Sequence, residues 1–398
     1  VKSQDVETRI KAIMERCRDL HEDVDLQAVK DWKAATGGRA VGSLPIYVPD
    51  EILHAVGILP VGLIGGGDRV DVIRGDAYFQ SYICRLPRSM VELGLSQRLS
   101  ALDGVLFPAI CDVIRNLSGI WTMLFPDQFV RFVDFPQNFD MEIGGAFYRG
   151  ELQRLADDMA SLAGKPLTDE ALNEAISLYD INRDLVRRLH EIRQEVPEQV
   201  STYEAYLLQR AGHMLPVTEH NQLLAEYLDL ATSRQTTPID NARILIVGAF
   251  CEQPPLPLIR SLELAGCFIV EDDMLMGNRL LGSVGTGDDP LTRLTRAYLS
   301  PQRPCSSVYD EEGLRMTNLV ERARRLRADG VLFASPSFCD PALLDRPIYQ
   351  KALEEAGIPF TMLKYAENTR QLSAIREQVG TFAESIRLWG DAPALPAA

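Results

Sequence analysis

Three times in this chain a short apolar run leads into a cysteine that stands directly before a helix-like segment. The three settings are Tyr82-Ile83-Cys84-Arg85-Leu86-Pro87, Phe107-Pro108-Ala109-Ile110-Cys111-Asp112 and Ser337-Phe338-Cys339-Asp340-Pro341. A strand feeding a helix through a tight turn is the building unit of a parallel sheet, so the repetition points to an α/β fold. It also puts each sulfur at the carboxyl end of a strand, where open α/β sheets bind their ligands. Helix N-termini favour negative charge and lower thiol pKa values, which suits thiolate ligands. Should the three loops converge, they form a socket for an anionic iron–sulfur cluster with one coordination position left without a cysteine. Spacing alone leaves a second reading open, three unrelated buried thiols, because free cysteine is among the most buried residue types.

The pattern around these cysteines sets the domain organisation. At 398 residues the chain is long enough for two or three domains. Residues 1–38 read as an N-terminal helical segment, with Val6, Ile10, Ile13, Cys17 and Leu20 on one apolar face. Residues 39–150 read as a first α/β domain carrying Cys84 and Cys111. Strands are expected at Pro60 to Ile64, Val105 to Phe107 and Val130 to Val133, with a helix from Asp112 to Leu124. Residues 151–235 read as a helical segment. Gly164 ends its first stripe, Thr168 caps the next helix, and Ser201 with Glu204 forms a capping box. Residues 236–398 read as a second α/β domain carrying Cys339, with strands at Arg243 to Gly248, Cys267 to Val270, Val331 to Ala334 and Ile358 to Leu363. There Asp340 suits an N-cap and Pro341 the first helical position. The expected fold class is therefore α/β, with two doubly wound, parallel-sheet domains of the Rossmann or flavodoxin type. The two α/β halves have the look of remote duplicates.

Composition removes several functions. A formal charge of −15 argues against binding to nucleic acid, which needs clustered Lys and Arg. No run approaches the ~20 apolar residues of a membrane-spanning helix. The N-terminus is charged and lacks an apolar signal core, so a cytoplasmic location is expected. Seven irregularly spaced cysteines do not make a disulfide framework. The chain has no phosphate-loop motif, and Gly282, Gly285 and Gly287 do not have dinucleotide-binding spacing. Any ATP is expected to be hydrolysed by a partner.

Other residues carry weaker claims. His54 is a candidate catalytic acid because it precedes the glycine-rich stretch, against the plainer reading of a helix histidine satisfied by a neighbouring carbonyl. Gly65 to Gly67 either let backbone approach a ligand or make a tight turn. Arg69, Arg74, Arg85, Arg88 and Arg115 could meet phosphates or lie on solvated helix faces, and no role is assigned to them. Cys305 lies in a loop and is expected not to ligate. Core packing accounts for Cys251 and Cys267.

Segments around the cysteines resemble a known superfamily. Leu53-His54-Ala55-Val56-Gly57-Ile58-Leu59-Pro60, the segment from Phe107 to Asn116, and Ser337-Phe338-Cys339-Asp340-Pro341 are similar to the cluster-binding regions of the 2-hydroxyacyl-CoA dehydratase superfamily. Gly65-Gly66-Gly67-Asp68, the run from Arg74 to Cys84, and Asp134-Phe135-Pro136-Gln137-Asn138-Phe139 resemble the branch that holds the ATP-dependent benzoyl-CoA reductases. The resemblance implies a 4Fe-4S cluster held by Cys84, Cys111 and Cys339. It implies a paralogous cluster-bearing subunit, with the acyl-CoA site between the two. ATP-hydrolysing subunits would deliver electrons from ferredoxin. It also implies ring reduction of a benzoyl-CoA-type substrate to a cyclohexadienoyl-CoA. Two other outcomes stay open: a radical 2-hydroxyacyl-CoA dehydratase subunit, or an electron-relay subunit whose sister holds the substrate. The chain departs from many relatives after Gly357-Ile358-Pro359. It has Leu363-Lys364-Tyr365-Ala366-Glu367 where they carry an acidic pair, which weakens any carry-over of acyl-CoA contacts there.

Overall fold

The computed structural model describes residues 3–44, 46–248, 253–274, 282–300, 314–366, 369–370 and 372–389. Cys251, Cys305, Glu367 and the C-terminal tail lie outside these residues.

Among the described residues, eight strands form two separate four-stranded sheets, both parallel throughout. The first holds β1 (Arg39–Ser43), β2 (Ile58–Gly62), β3 (Gly104–Pro108) and β4 (Phe129–Val133), in the order β2-β1-β3-β4. The second holds β5 (Ala242–Gly248), β6 (Cys267–Asp272), β7 (Gly330–Pro336) and β8 (Phe360–Tyr365), in the order β6-β5-β7-β8. Each sheet reads second, first, third, fourth in chain order, so each has a crevice where the connections diverge, between its first and third strands. The α/β class with two doubly wound sheets is as the sequence predicts. Parallel strands covered by helices on both faces are buried along their length, and every residue of β3 and β7 is.

One strand is not foreseen. β1 reads Arg-Ala-Val-Gly-Ser and has little β-propensity. It lies second in its sheet, paired with both β2 and β3. Its Gly42 is required by packing. A Cβ there would stand 2.6 Å from Leu63 Cδ1 and 2.8 Å from Leu102 Cδ1.

Between the sheets run the helices Ala146–Ala163, Asp169–Glu195, Thr202–Ala211 and Val217–Thr232. Thr168 caps the second through its side-chain oxygen, and Ser201 with Glu204 forms the capping box on the third. Such caps are worth about 1 kcal/mol each. The N-terminal helix Ser3–Glu22 buries Val6, Ile10, Ile13 and Cys17 in a helical core with Leu207, Leu224 and Tyr227. The later part of the chain also contributes to the first core. The helix Pro290–Tyr298 sends Leu291, Leu294 and Tyr298 into the cluster built on the first sheet. Tyr298 packs there against Tyr47, Phe135, Phe139 and Tyr148.

Candidate functional site

Each of the three cysteines occupies the residue immediately before a helix, and Cys111 and Cys339 each do so just after a strand, β3 and β7. Cys84 precedes the helix Arg85–Leu95, Cys111 precedes Asp112–Leu124, and Cys339 precedes Asp340–Leu344. The last of these corrects the expected cap by one position: Cys339 stands at the N-cap and Asp340 begins the helix. Cys111 and Cys339 are also topologically equivalent, each following the third strand of its sheet at the edge of the crevice.

The fold brings Cys111 and Cys339 together. Cys339 is 4% exposed and belongs to the buried cluster of the first sheet, against which Cys111 also packs. The two thiols feel one another electrostatically. Burial pushes the Cys111 thiol above its ordinary value, and the neighbouring Cys339 pushes the same way. The backbone amides of Ile114 and Val113 oppose this but do not prevail. The expected helix effect is present and is outweighed by desolvation. Neither amide reaches the sulfur as a capping hydrogen bond. Among the described residues, no group of three or more His, Cys, Asp or Glu side chains is arranged to hold a metal ion directly.

Cys84, 7% exposed, follows turn residues rather than the strand the sequence predicts, after a long connection from β2. After β2 the chain turns at Gly65 and Gly67, with φ values of 83° and 58°. The Gly66 amide donates to Ser89 Oγ at 2.7 Å, and a Cβ on Gly66 would lie 2.6 Å from Val70. The glycine run is thus a close-packed turn. The following segment is tied down by Glu92, whose Oε2 accepts the amides of Ile73, Arg74 and Gly75 at 2.9, 2.6 and 3.0 Å.

The five arginines of this region are engaged within the chain. Arg69 pairs with Glu22, Arg74 with Glu92 and Arg88 with Asp76. Arg85 donates to the Val70 carbonyl, and Arg115 lies over the Phe132 ring. Cys17 and Cys267 are core thiols, pushed up to about 12 by burial.

His54 is half-buried. It lies on the last turn of the helix Asp50–Ala55, which runs back from the end of β1 to the start of β2. Its ring meets Tyr179 edge-on at 6.0 Å, and burial holds its pKa below the ordinary histidine value. The first turn of the same helix carries a polar cluster. Glu51 pairs with Arg183 at 2.7 Å, and Arg183 with Asp180 at 2.8 Å. Asp180 also accepts the amides of Val284 and Gly285. Burial, reinforced by the Glu51 charge and opposed by Arg183, pushes the Asp50 carboxyl up to about 7. The only sequence signal is the adjacent acids Asp50-Glu51 after Pro49.

The geometry is that of a protein with two equivalent parallel sheets, in which the cysteines after the third strand of each sheet, Cys111 and Cys339, pack against one buried cluster. Comparison with known families places it. The family model of 2-hydroxyglutaryl-CoA dehydratase, D-component, matches residues 45–386, and the chain belongs to that family. It is 49% identical to a benzoyl-CoA reductase subunit of Thauera aromatica, over 95% of this chain and 98% of the relative. It is 26% identical to the (R)-phenyllactyl-CoA dehydratase beta subunit of Clostridium sporogenes, over 88% of this chain and 92% of that one. To the (R)-2-hydroxyglutaryl-CoA dehydratase beta subunit of Acidaminococcus fermentans it is 24% identical, over 88% and 93%. The resemblance drawn from the cysteine segments is thereby confirmed at the level of the superfamily, and the chain is an enzyme subunit of the oxidoreductase kind. No helix among the described residues is long and apolar enough to cross a membrane.

Proposed function

We propose that this chain is the iron–sulfur core subunit of an ATP-dependent aromatic acyl-CoA reductase, and that its substrate is benzoyl-CoA or a close analogue reduced to cyclohexa-1,5-diene-1-carbonyl-CoA. The observation that carries this reading is the 49% identity, across nearly the full length of both chains, to a benzoyl-CoA reductase subunit. Identity to the dehydratase subunits is 26% and 24%.

Cys84, Cys111 and Cys339 would hold a 4Fe-4S cluster, whose chemistry is the passage of single electrons at low potential. The donor set suits it: soft sulfur ligands, each directly before a helix and two of them buried. Among the described residues no three metal-binding side chains are already grouped to hold an ion. Two residues of this chain have roles beyond ligation. Asp50, on the first turn of the helix Asp50–Ala55, is held up to about 7 by burial and the Glu51 charge and is a candidate proton donor. Arg183 holds Glu51 and Asp180 beside it in fixed positions.

The relatives are named as subunits, which supports assembly with a paralogous cluster-bearing subunit. The chain's missing phosphate-loop motif supports ATP hydrolysis by separate activating subunits, fed by ferredoxin. Such a complex would work in the cytoplasm. The deciding experiment is an anaerobic assay of the purified complex with reduced ferredoxin, ATP and benzoyl-CoA, counting electrons. Two electrons consumed per product support reduction. Product formed from a 2-hydroxyacyl-CoA with only catalytic traces of electrons would replace this reading with dehydration.

A further inference from the structure

We infer that Cys111 and Cys339 form a redox-sensitive pair: in the metal-free chain a peroxide joins them in a reversible disulfide that ties the second α/β half to the first. The inference stands on the thiol pair alone and does not require the cluster reading above.

Five cysteines lie among the described residues, none of them in a disulfide. Cys17, Cys84, Cys267 and Cys339 are buried, and Cys111 alone is half-buried. Susceptibility to oxidation follows access, so a small oxidant from solvent meets Cys111 first. The second thiol is the one that packing supplies. Cys339 comes from the other half of the chain, yet it is buried in the cluster of the first sheet, and Cys111 packs on that same cluster. Ala342, one turn along the helix that Cys339 precedes, packs there too. The Cys339 charge is felt at the Cys111 sulfur. The other thiols are placed elsewhere. Cys17 lies in the helical core and Cys267 in a core of the second sheet, and Cys84 is a member of none of these clusters.

The two thiols are mounted with different stiffness. The Asp112–Leu124 helix is anchored by buried Ile114, Leu117 and Trp121. The five-residue helix Asp340–Leu344 buries none of its own residues, and the turn before it carries Phe338 at a φ of 64°. An element with so little burial shifts at low cost. Cys339 can therefore adjust to the Cα separation of about 4.4–6.8 Å that a disulfide demands, while Cys111 stays in place.

The chemistry has two steps. The Cys111 sulfur attacks hydrogen peroxide; an S–O bond forms, the O–O bond breaks and one water leaves. The Cys339 sulfur then attacks the sulfenic acid; the S–S bond forms, the S–O bond breaks and a second water leaves. The two thiols lose two electrons and two protons, and the peroxide takes up both. Without Cys339 the sulfenic acid meets no resolving thiol, and further peroxide carries it to sulfinic acid, which thiol reductants do not reverse.

The test uses the full-length chain, reduced and freed of metal without oxygen, then treated with equimolar hydrogen peroxide, alkylated and mapped by mass spectrometry. Two of the seven thiols should be lost, and the linked peptides should carry Cys111 and Cys339. Dithiothreitol should restore both thiols. The same link should form in Cys84→Ser. In Cys339→Ser, dimedone should label Cys111, and excess peroxide should take that residue to sulfinic acid while the wild type is protected. A link from either residue to another cysteine, or no link at all, overturns the inference. So does sulfinic acid at Cys111 to the same extent in the wild type and in Cys339→Ser. None of these readouts depends on iron: a chain that forms the link yet takes up no iron and sulfide overturns the cluster reading and leaves this inference standing.

Discussion

Replacing Glu92 with glutamine should release the segment that leads to Cys84 while leaving the rest of the fold in place. The carboxylate is nearly buried, with its side chain 7% exposed. It accepts three consecutive backbone amides, from Ile73, Arg74 and Gly75, as well as Arg74 Nε at 3.2 Å. A hydrogen bond to a charged group contributes about 1.5–3 kcal/mol, against about 1 kcal/mol for a neutral one. Glutamine keeps an oxygen for the amides and loses the charge, so each of the three bonds weakens by roughly 0.5–1 kcal/mol, about 2 kcal/mol together. The lost Arg74 contact adds little, because that side chain is half exposed and water replaces the partner. About 2 kcal/mol corresponds to a ~30-fold rise in local opening. Hydrogen exchange of the Ile73, Arg74 and Gly75 amides should accelerate by about that factor, with the strands of the second sheet unchanged. pH supplies a second handle. Burial alone would raise the Glu92 pKa, but the amides of Gly75, Ile73 and Arg74 with the Arg74 side chain more than offset it, and the net shift is downward. A depressed carboxylate stabilises the fold above its unfolded pKa of about 4.3, and the contribution is lost as pH falls through the folded value. Protection of the three amides should decline in acid in the wild type and stay flat in the variant. Unchanged exchange at these amides, or a rise spread evenly over the chain, would refute the argument.

Three further outcomes are expected. Serine in place of Cys84, Cys111 or Cys339 should sharply lower iron and labile sulfide in the anaerobic protein, whereas Cys17→Ser and Cys267→Ser should leave both unchanged; metal analysis of the five variants checks this. His54→Gln should keep kcat within about threefold of wild type, far less than the ~100-fold or more lost with a general acid, because its ring packs on Tyr179 and burial lowers its pKa; a loss of that larger size would place it in the site. Asp50 is raised to about 7, so between about pH 4 and 7 the folded chain binds a proton that the unfolded chain has lost. Stability should therefore fall as pH rises through that window, and Asp50→Asn should flatten the fall in denaturant titrations at several pH values.

What the sequence makes legible follows from where the physical signal lies. Strands such as β3 and β7 announce themselves because burial on both faces demands a continuous apolar run. The capping residues Thr168, Ser201 and Glu204 are legible because one side chain satisfies a nearby amide, a purely local matter. β1 is hidden for the opposite reason. Its small residues are set by what packs over them, Leu63 and Leu102 on Gly42, and those contacts come from distant parts of the chain. The same distinction divides the site. The setting of each cysteine before a helix can be read from a few neighbouring residues. The polar cluster of Asp50, Glu51, Asp180 and Arg183 cannot, since its members come from different helices. Nor can the sign of the Cys111 shift, which depends on how much apolar surface the fold lays over the sulfur.

The meeting of Cys111 with Cys339 shows why spacing in the chain carries so little information about this site. Both residues follow the third strand of a sheet with the same strand order, so a local rule places each at the mouth of its own crevice. No local rule turns the two crevices toward each other. That is done by material from one half buried in the other: the Pro290–Tyr298 helix in the first core, the Val284 and Gly285 amides on Asp180, and Asp289 paired with Arg149. Each contact joins the connection between β6 and β7 to the first sheet or its adjoining helices. The distance between the sulfurs is therefore set by domain packing, and the second half contributes its cysteine by way of a strained turn at Phe338. The cluster site proposed for this chain would draw two cysteines from one half and one from the other, so neither sheet with its helices would hold the full set alone.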